Sequence, residues 1–318
     1  MMNHSSQTFV TRKNSTFVYN LLRWFVSLDI NFLRINIDDK ISKFKIQLSE
    51  DHSKFEFILD KERYSLNLEE KNYFLHQGVF QFSQQFSSQY FKNRSHNLSF
   101  SLSKIIFTQS SNYGTLPEEL NFKLYNLYLA KRVGLSIPHT VIGDKDSLQE
   151  EVQGNSEEYI SKAITNVFKE RYQNGIIVGP GTVLVNERSF NRDEINFSLI
   201  QKKISKFFDI RTVYYDNQFF SIAIFTPKNQ NITDFRNLYN QNTPNPKNVP
   251  FELPNQVKEK LATIAEKLDL KFCSFDLIYS KKNEYVFIEV NPEGVIDWVS
   301  RYGNFGIYRH IAKKYVAK

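Results

Sequence analysis

The sequence is poor in the residues that build disulfides and compact metal clusters. It contains one cysteine, Cys273, in 318 residues, which excludes an intramolecular disulfide and a cysteine metal cluster. Its six histidines show no zinc-binding spacing such as His-Glu-x-x-His. No histidine lies near Cys273 in the sequence, so we predict that this thiol is a buried structural group and not a nucleophile.

Long apolar runs are also absent. No segment approaches the roughly 20 consecutive apolar residues that a membrane-spanning helix needs. The polar stretch from Met1 to Thr16 lacks the apolar core of a signal peptide. We therefore expect a cytoplasmic protein with no membrane partner.

The net charge of +7 comes from scattered lysines, without a long basic run or an aromatic RNA-binding signature. This pattern favours a solvated lysine-rich surface over a nucleic-acid interface, although ATP or an acidic peptide would also suit a positive site. A hydrophobic content of 41% with 24% charged residues is typical of a globular protein. The length allows two or three domains.

The most informative segment is a predicted hairpin near the C-terminus. Residues 275–278 and 286–290 are apolar and rich in strand-forming side chains, and residues 280–284 between them resemble a turn. Within these apolar strands lie two carboxylates, Asp276 and Glu289. Carboxylates are seldom buried unless they are paired or bind a metal.

The register of this hairpin predicts where the carboxylates meet. If Lys281 pairs with Glu284, the same register places Asp276 directly opposite Glu289, and Asn291 follows on the same face. Opposed like charges destabilise a hairpin, whereas two carboxylates and an amide oxygen suit Mg²⁺. The alternative is a solvated outer face, which the apolar residues on both faces disfavour.

This Asp…Glu-x-Asn-Pro arrangement resembles the Mg²⁺-binding end of ATP-grasp ligases. The resemblance implies ATP and Mg²⁺ as cofactors, with Asp276, Glu289 and Asn291 as the metal ligands. It also implies that Lys123, at the start of a helix, and Lys162, in the strand Ile160-Ser161-Lys162, contact the ATP phosphates. Each lysine alone would be read as a surface residue; their order along the chain supports the phosphate role.

Two further segments extend the resemblance. Leu199 to Ile204 looks like the hinge strand, so Gln201, Lys203 and Ile204 are implied to bind the nucleotide. In Asp209-Ile210-Arg211, the resemblance implies that Arg211 faces the transferred phosphate or the substrate carboxylate. Residues 175–181, with Gly179-Pro180-Gly181, are open to two interpretations, a phosphate-covering loop or a plain hairpin turn.

A narrower resemblance comes from residues 234–254, which carry Asp234-Phe235-Arg236-Asn237 and an Asn-Pro-Lys segment. They resemble the graspetide synthetases, specifically the grasp-with-spasm maturases, and imply Arg236 as a second catalytic arginine beside Arg211. The paired arginines usual for this branch near position 75 are missing from Tyr73 to Gly78.

The resemblance implies an ATP-dependent macrocyclase. It would phosphorylate Asp or Glu side chains of a ribosomal precursor peptide, bound through its leader, and join them to Ser or Thr as esters or to Lys as amides. A homodimer is also implied. Two alternatives are an ATP-grasp ligase that adds free amino acids and a non-catalytic nucleotide-binding regulator. The loop at 234–254 disfavours the first, and the intact Asp276/Glu289/Asn291 set disfavours the second.

The expected fold class is α/β, an ATP-grasp fold in three parts. Residues 1–115 would form an N-terminal α/β domain, 116–197 a central α+β subdomain, and 198–318 the C-terminal subdomain with the metal site. Periodicity predicts helices at 17–28, 121–134, 146–152, 256–268 and 308–316. It predicts strands at 31–37, 55–59, 64–68, 139–142, 159–162, 199–204, 210–215 and 219–225, two short strands within 176–185, and a long loop at 227–254.

Overall fold

The structure is a computed structural model that describes residues 7–82, 88–109, 122–164, 169–172, 175–178, 182–185, 187–190, 197–226 and 246–316. These residues form a mixed α/β protein. Its helices are α1 (Thr16–Ser27), α2 (Gln89–Gln109), α3 (Lys123–Arg132), α4 (Lys145–Gln153), α5 (Asn255–Lys267), α6 (Asp297–Gly303) and α7 (Ile307–Val316). In the described part of the chain, no helix is both long and apolar enough to cross a membrane.

The N-terminal part is built on a parallel sheet. Its strands are β1 (Gln7–Thr11), β2 (Phe32–Asn36) and β7 (Tyr73–His76), in the order β2-β1-β7. Helix α1 forms the crossover between β1 and β2, as parallel pairing requires. Beside it lie an antiparallel sheet of β4 (Lys43–Leu48), β5 (Ser53–Leu59) and β6 (Glu62–Asn67), and a short pair of β3 (Lys40–Ile41) and β8 (Gln81–Phe82).

The central part holds a four-stranded antiparallel sheet. Its strands, in spatial order, are β13 (Val183–Val185), β10 (Tyr159–Lys162), β14 (Phe197–Lys202) and β9 (Thr140–Asp144). A separate hairpin consists of β11 (Lys169–Tyr172) and β12 (Gly175–Val178). One face of the four-stranded sheet packs through Tyr159 and Ile200 on Leu148 of α4.

The C-terminal part holds a five-stranded antiparallel sheet that carries the candidate site. Its strands, in spatial order, are β17 (Lys247–Phe251), β16 (Gln218–Phe225), β15 (Lys206–Tyr215), β18 (Phe272–Ser280) and β19 (Tyr285–Asn291). The chain changes from the central sheet to this one between Lys202 and Lys206. The three domain ranges of the sequence analysis remain a prediction.

Both faces of the five-stranded sheet are covered. On one face Val213 and Phe272 pack with Phe17 of α1, Phe74 of β7 and Ile311 of α7. On the other face lies a second core, whose members include Ile210, Tyr214, Leu261, Ile264, Phe275 and Phe287. Polar side chains on a sheet covered on both sides need a partner or a function.

Most predicted elements are confirmed, and some boundaries are nearly the same, as for the strand at 159–162. The prediction of an uninterrupted loop at 227–254 is wrong, because Lys247–Phe251 forms β17. Pro250 within it obscured the strand signal. Proline is tolerated there because, among the described strands, β17 lies at the edge of the sheet and pairs with β16 alone. Residues 227–245, including Arg236, lie outside the described residues.

Two helices were not predicted. Helix α2 is rich in Ser, Asn and Gln, so its apolar residues give a weak periodic signal. Helix α6 has only 7 residues, too short for a periodic pattern. The two short strands predicted at 176–185 are confirmed as β12 and β13, but each pairs with a different neighbour. Residues 179–181 between them lie outside the described part of the chain.

We predict that Cys273 does not react in the native protein. The side chain is fully buried, and burial raises the pKa of its thiol well above the usual value, so little thiolate is present at neutral pH. A disulfide reagent such as Ellman's reagent should react slowly with the native protein and rapidly in denaturant. Equal rates in the two conditions would contradict this burial.

Candidate metal and nucleotide site

A β-bulge aligns the two carboxylates of the hairpin. Near the turn Tyr279 pairs with Tyr285 and Leu277 with Phe287, and the register then shifts by one residue so that Asp276 faces Glu289. A bulge inserts one extra residue in one strand, here Ile288. Without it Asp276 would face Ile288, and Glu289 would point to the opposite face.

The predicted hairpin register is therefore wrong at the turn and correct at the two carboxylates. The predicted pairing of Lys281 with Glu284 is wrong, because the Ser280 N–H donates to the Glu284 carbonyl, which makes the turn one residue longer than predicted. The opposition of Asp276 and Glu289 is found, because the bulge compensates for the one-residue error at the turn.

Asp276, Glu289 and Asn291 meet on one sheet face, as predicted. The Asn291 amide nitrogen donates to Asp276 Oδ2 at 3.4 Å and to Glu289 Oε1 at 3.3 Å. These bonds are long, which indicates a loose arrangement. The three side chains present oxygen atoms of the kind that Mg²⁺ prefers.

Arg211 compensates part of this negative charge. It lies opposite Asp276 on the adjacent strand β15, and its Nη1 donates to both carboxylate oxygens at 2.7 Å. Its Nε is buried and has no hydrogen-bond partner among the described residues. The Arg211–Asp276 pair was not predicted, since the two residues are far apart in sequence and only the β15–β18 register joins them.

The pKa of Asp276 is shifted by its burial and by the charged groups next to it. Burial raises the pKa of its carboxyl above the ordinary value, the charge of Glu289 raises it further, and Arg211 acts in the opposite direction. Shifts of this kind cluster at functional sites, because a purely structural sheet would avoid opposed carboxylates. The opposed pair is therefore a candidate functional site.

Lys123 joins the central part to the hairpin. It is the first residue of α3, and its Nζ donates to the carbonyl of Ala163 at 3.2 Å and lies 4.0 Å from Glu289 Oε2. Ala163 directly follows Lys162, the last residue of β10. Lys123 of α3 therefore lies between the end of β10, where Lys162 is located, and Glu289 of the carboxylate pair.

The predicted hinge residues lie beside this junction. Gln201 is buried in β14, opposite Ile160 of β10, and its amide donates to Thr140 Oγ1 at 3.0 Å. Because Lys162 is two residues from Ile160 in the same strand, it shares a sheet face with Gln201. That face is opposite to the one that packs on α4.

Lys203 and Ile204 follow β14. The Lys203 N–H donates to the Glu158 carbonyl at 2.8 Å, and its Nζ forms an ion pair with the Glu158 carboxylate at 2.8 Å. Because the backbone N–H of Lys203 is used in this hydrogen bond, an adenine contact by Lys203 would have to use other atoms of the residue. Ile204 lies in the half-buried connection to β15. Thr140 was not predicted as a neighbour of the hinge residues, because only the pairing of β9 with β14 places it opposite Gln201.

The N-terminal part contacts the segment that follows Asn291. Gln77 Nε2 donates to Glu293 Oε2 at 3.3 Å. Gly294 has a φ of +49°, and a Cβ there would lie 2.8 Å from the Phe272 ring. Glycine is therefore required at this position, shortly after the end of β19.

The residues at the carboxylate pair have the chemistry of a Mg²⁺ site of the nucleotide-binding kind. In the described part of the chain, no group of three or more His, Cys, Asp or Glu side chains could hold a metal. Asp276 and Glu289 with the Asn291 amide would leave positions for water and phosphate oxygens. Mg²⁺ typically has this environment in nucleotide sites, where one or two carboxylates suffice.

Comparisons with known proteins agree at the level of the fold. No protein-family model matches the chain, and no curated protein does. Among solved structures, the macrocyclase MdnC bound with precursor peptide MdnA, from Microcystis aeruginosa MRC, matches with a TM-score of 0.74 at 16% identity. The match covers 98% of this chain and 100% of that one.

Two other solved structures share the architecture. The ATP-grasp ligase PsnB, complexed with minimal precursor, Mg and ADP, has a TM-score of 0.66 at 14% identity, covering 100% of this chain and 98% of that one. The VanG D-Ala:D-Ser ligase from Enterococcus faecalis has a TM-score of 0.51 at 13% identity, covering 98% and 99%. The chain therefore has the ATP-grasp fold, and the expected fold class is confirmed.

We predict opposite stability effects for the two carboxylates. Asp276→Asn removes the partner of the buried Arg211 guanidinium and should lower the free energy of unfolding by about 3 kcal/mol. Glu289→Gln removes a like charge from Asp276 and should leave that free energy unchanged or raise it. Urea unfolding in the presence of EDTA measures both. An equal loss in the two variants would contradict this assignment of charges.

Proposed function

We propose that this protein is an ATP-dependent macrocyclase that acts on side chains of a ribosomal precursor peptide. The observation that supports it most is the opposition of Asp276 and Glu289 beside Asn291, with Lys123 and Arg211 adjacent. The fold adds support, because macrocyclase MdnC was solved bound with its precursor peptide.

The proposed nucleotide site lies between the central sheet and the C-terminal hairpin. Asp276, Glu289 and Asn291 would hold Mg²⁺, which reduces the charge repulsion of the ATP phosphates when bound. Lys123 and Lys162 would contact these phosphates as mobile point charges. The role of Lys123 is supported by its short reach to both Ala163 and Glu289.

The hinge would bind the adenine. Gln201 is held in one orientation by Thr140, so it can shape the base pocket without a change of rotamer. Backbone atoms of Lys203 and Ile204 would complete the contact. The ranges 116–197 and 198–318 would then act as the two halves that enclose ATP.

Arg211 would bind the peptide carboxylate or the transferred phosphoryl group. Its Nη1 donates to both oxygens of Asp276, whereas its buried Nε has no hydrogen-bond partner among the described residues. A guanidinium offers a planar fork to an oxyanion, and a neighbouring anchor fixes its orientation. Arg236 is proposed as a second such arginine on the strength of the sequence resemblance alone.

The reaction balances as two transfers. A side-chain carboxylate of the peptide attacks the γ-phosphorus of ATP, and ADP leaves, forming an acyl phosphate. A Ser or Thr hydroxyl, or a Lys amine, then attacks the carbonyl carbon. Phosphate leaves and the nucleophile loses its proton, so each ring costs one ATP and forms an ester or an amide. The enzyme would bind the peptide leader and act as a homodimer.

A ligase that joins free amino acids is the second candidate. It is supported by the match to the D-Ala:D-Ser ligase, whose TM-score of 0.51 is lower than the 0.74 of the macrocyclase. The two functions change the mass of the acceptor in opposite directions, which makes them separable.

We predict that the precursor peptide loses mass. Each ring removes one water, so a peptide co-expressed with this protein should become lighter by about 18 Da per ring, as condensation through an acyl intermediate requires. Mass spectrometry measures this directly. Arg211→Lys keeps the charge but loses the fork, so the mass loss should fall sharply.

Control variants are Glu289→Gln and Asn291→Ala, in which we expect no mass loss and no ATP turnover. A gain of mass in the peptide would instead indicate the free amino-acid ligase. Unchanged mass with every small peptide encoded nearby would contradict the macrocyclase proposal.

We also predict a selective effect on nucleotide binding. Lys162→Ala should weaken ATP binding more than peptide binding, because the proposed partner of its ammonium is phosphate. Calorimetric titrations with ATP and with the peptide separate the two affinities. Lys131→Ala, in the last turn of α3, is a matched control that should leave ATP affinity unchanged.

A further inference from the structure

Ser274 is a buried polar residue that the proposed reaction does not yet use. It lies within β18, its side chain is fully buried, and its Oγ has no hydrogen-bond partner among the described residues. An unsatisfied buried hydroxyl destabilises the folded state. A buried strand position of this size would ordinarily be filled by alanine at no such cost.

The sheet register places Ser274 beside the metal ligands. It is directly opposite Asn291 of β19 and two residues before Asp276 in its own strand. All three side chains therefore share one sheet face. Cβ atoms of directly opposed residues are about 4.5–5.5 Å apart, so the Ser274 hydroxyl and the Asn291 amide can meet after a rotation.

The present orientation of the Asn291 amide suits two carboxylates but not a cation. Its Nδ2 points at Asp276 Oδ2 and Glu289 Oε1. An NH₂ group has two donors and cannot ligate Mg²⁺, whereas the Oδ1 of the same amide can. Cation binding therefore requires the amide to turn over, which directs its NH₂ group away from the carboxylates.

We propose that Ser274 is a positioning residue that accepts a hydrogen bond from the Asn291 NH₂ group when the amide oxygen faces the cation. The Ser274 hydroxyl, which has no hydrogen-bond partner among the described residues, then gains one. This inference rests on the metal site of the proposed function and assigns it a second layer of residues. Such outer partners fix the orientation of ligands, and their loss weakens metal binding.

Manganese binding tests the proposal without measuring catalysis. Mn²⁺ is titrated into protein saturated with ADP, and free Mn²⁺ is followed by electron paramagnetic resonance. Ser274→Ala should weaken Mn²⁺ binding by about tenfold, at the lower end of the effects known for outer-shell partners. In turnover assays, the Mg²⁺ concentration for half-maximal rate should rise, while the rate at saturating Mg²⁺ is largely restored.

Ser221→Ala is the matched control. Ser221 is also buried in the same sheet, in β16, which is separated from β18 by β15. Its hydroxyl donates to Thr212 Oγ1 at 2.7 Å. Thr212 adjoins Arg211 in β15, so this pair lies on the face opposite the metal ligands. Its loss should lower stability without changing Mn²⁺ affinity.

A double-mutant cycle tests whether Ser274 affects Mn²⁺ binding through Asn291. In an Asn291→Ala background there is no amide to position, so Ser274→Ala should cause no further loss of Mn²⁺ affinity. An equal loss in that background, or an equal loss in Ser221→Ala, would overturn the proposal. Wild-type affinity in Ser274→Ala would overturn it as well, while leaving the proposed macrocyclase function intact. If wild-type protein bound no Mn²⁺ with ADP, the metal site itself would fail and this inference with it.

Discussion

Two carboxylates of like charge, Asp276 and Glu289, face each other across a hairpin in a sheet that is covered on both sides. Such a pair raises the free energy of the fold unless positive groups surround it. Arg211 from the neighbouring strand and Lys123 from a helix of the central part supply that charge. Each of these groups comes from a different element, so the carboxylate pair depends on the assembly of the sheet with α3.

The bulge at Ile288 makes this arrangement possible. A regular hairpin with the same turn would send Glu289 to the face occupied by Phe275 and Phe287, which belongs to an apolar core. One extra residue thus decides whether the two carboxylates converge. Bulges commonly re-aim a side chain next to an active site, and this one has that effect.

The N-terminal part contributes to the site through packing. Its helix α1 and strand β7 cover the same sheet face that carries the carboxylates, through Phe17 and Phe74 against Phe272. Gly294 allows the chain after Asn291 to pass over the Phe272 ring, and Gln77 contacts Glu293 in that segment. The position of Asn291 is therefore constrained from both ends, by the hairpin before it and by the N-terminal part after it.

The sequence by itself determined most of the antiparallel strands, the helices with strong periodicity, and the approach of Asp276, Glu289 and Asn291, because these depend on neighbours close along the chain. It did so for the hairpin despite a wrong turn register, since the bulge compensated. It could not reveal β17, where Pro250 hides a strand that only its edge position permits. The parallel strands β1 and β7 were not predicted.

Only the tertiary structure decided the partners of the site residues. The contacts of Arg211 with Asp276 and of Lys123 with Ala163 and Glu289 are set by the pairing of β15 with β18 and by the docking of α3. Such contacts join residues far apart in sequence. Their formation depends on the burial of whole elements and not on local propensity, so a single sequence carries no direct signal for them.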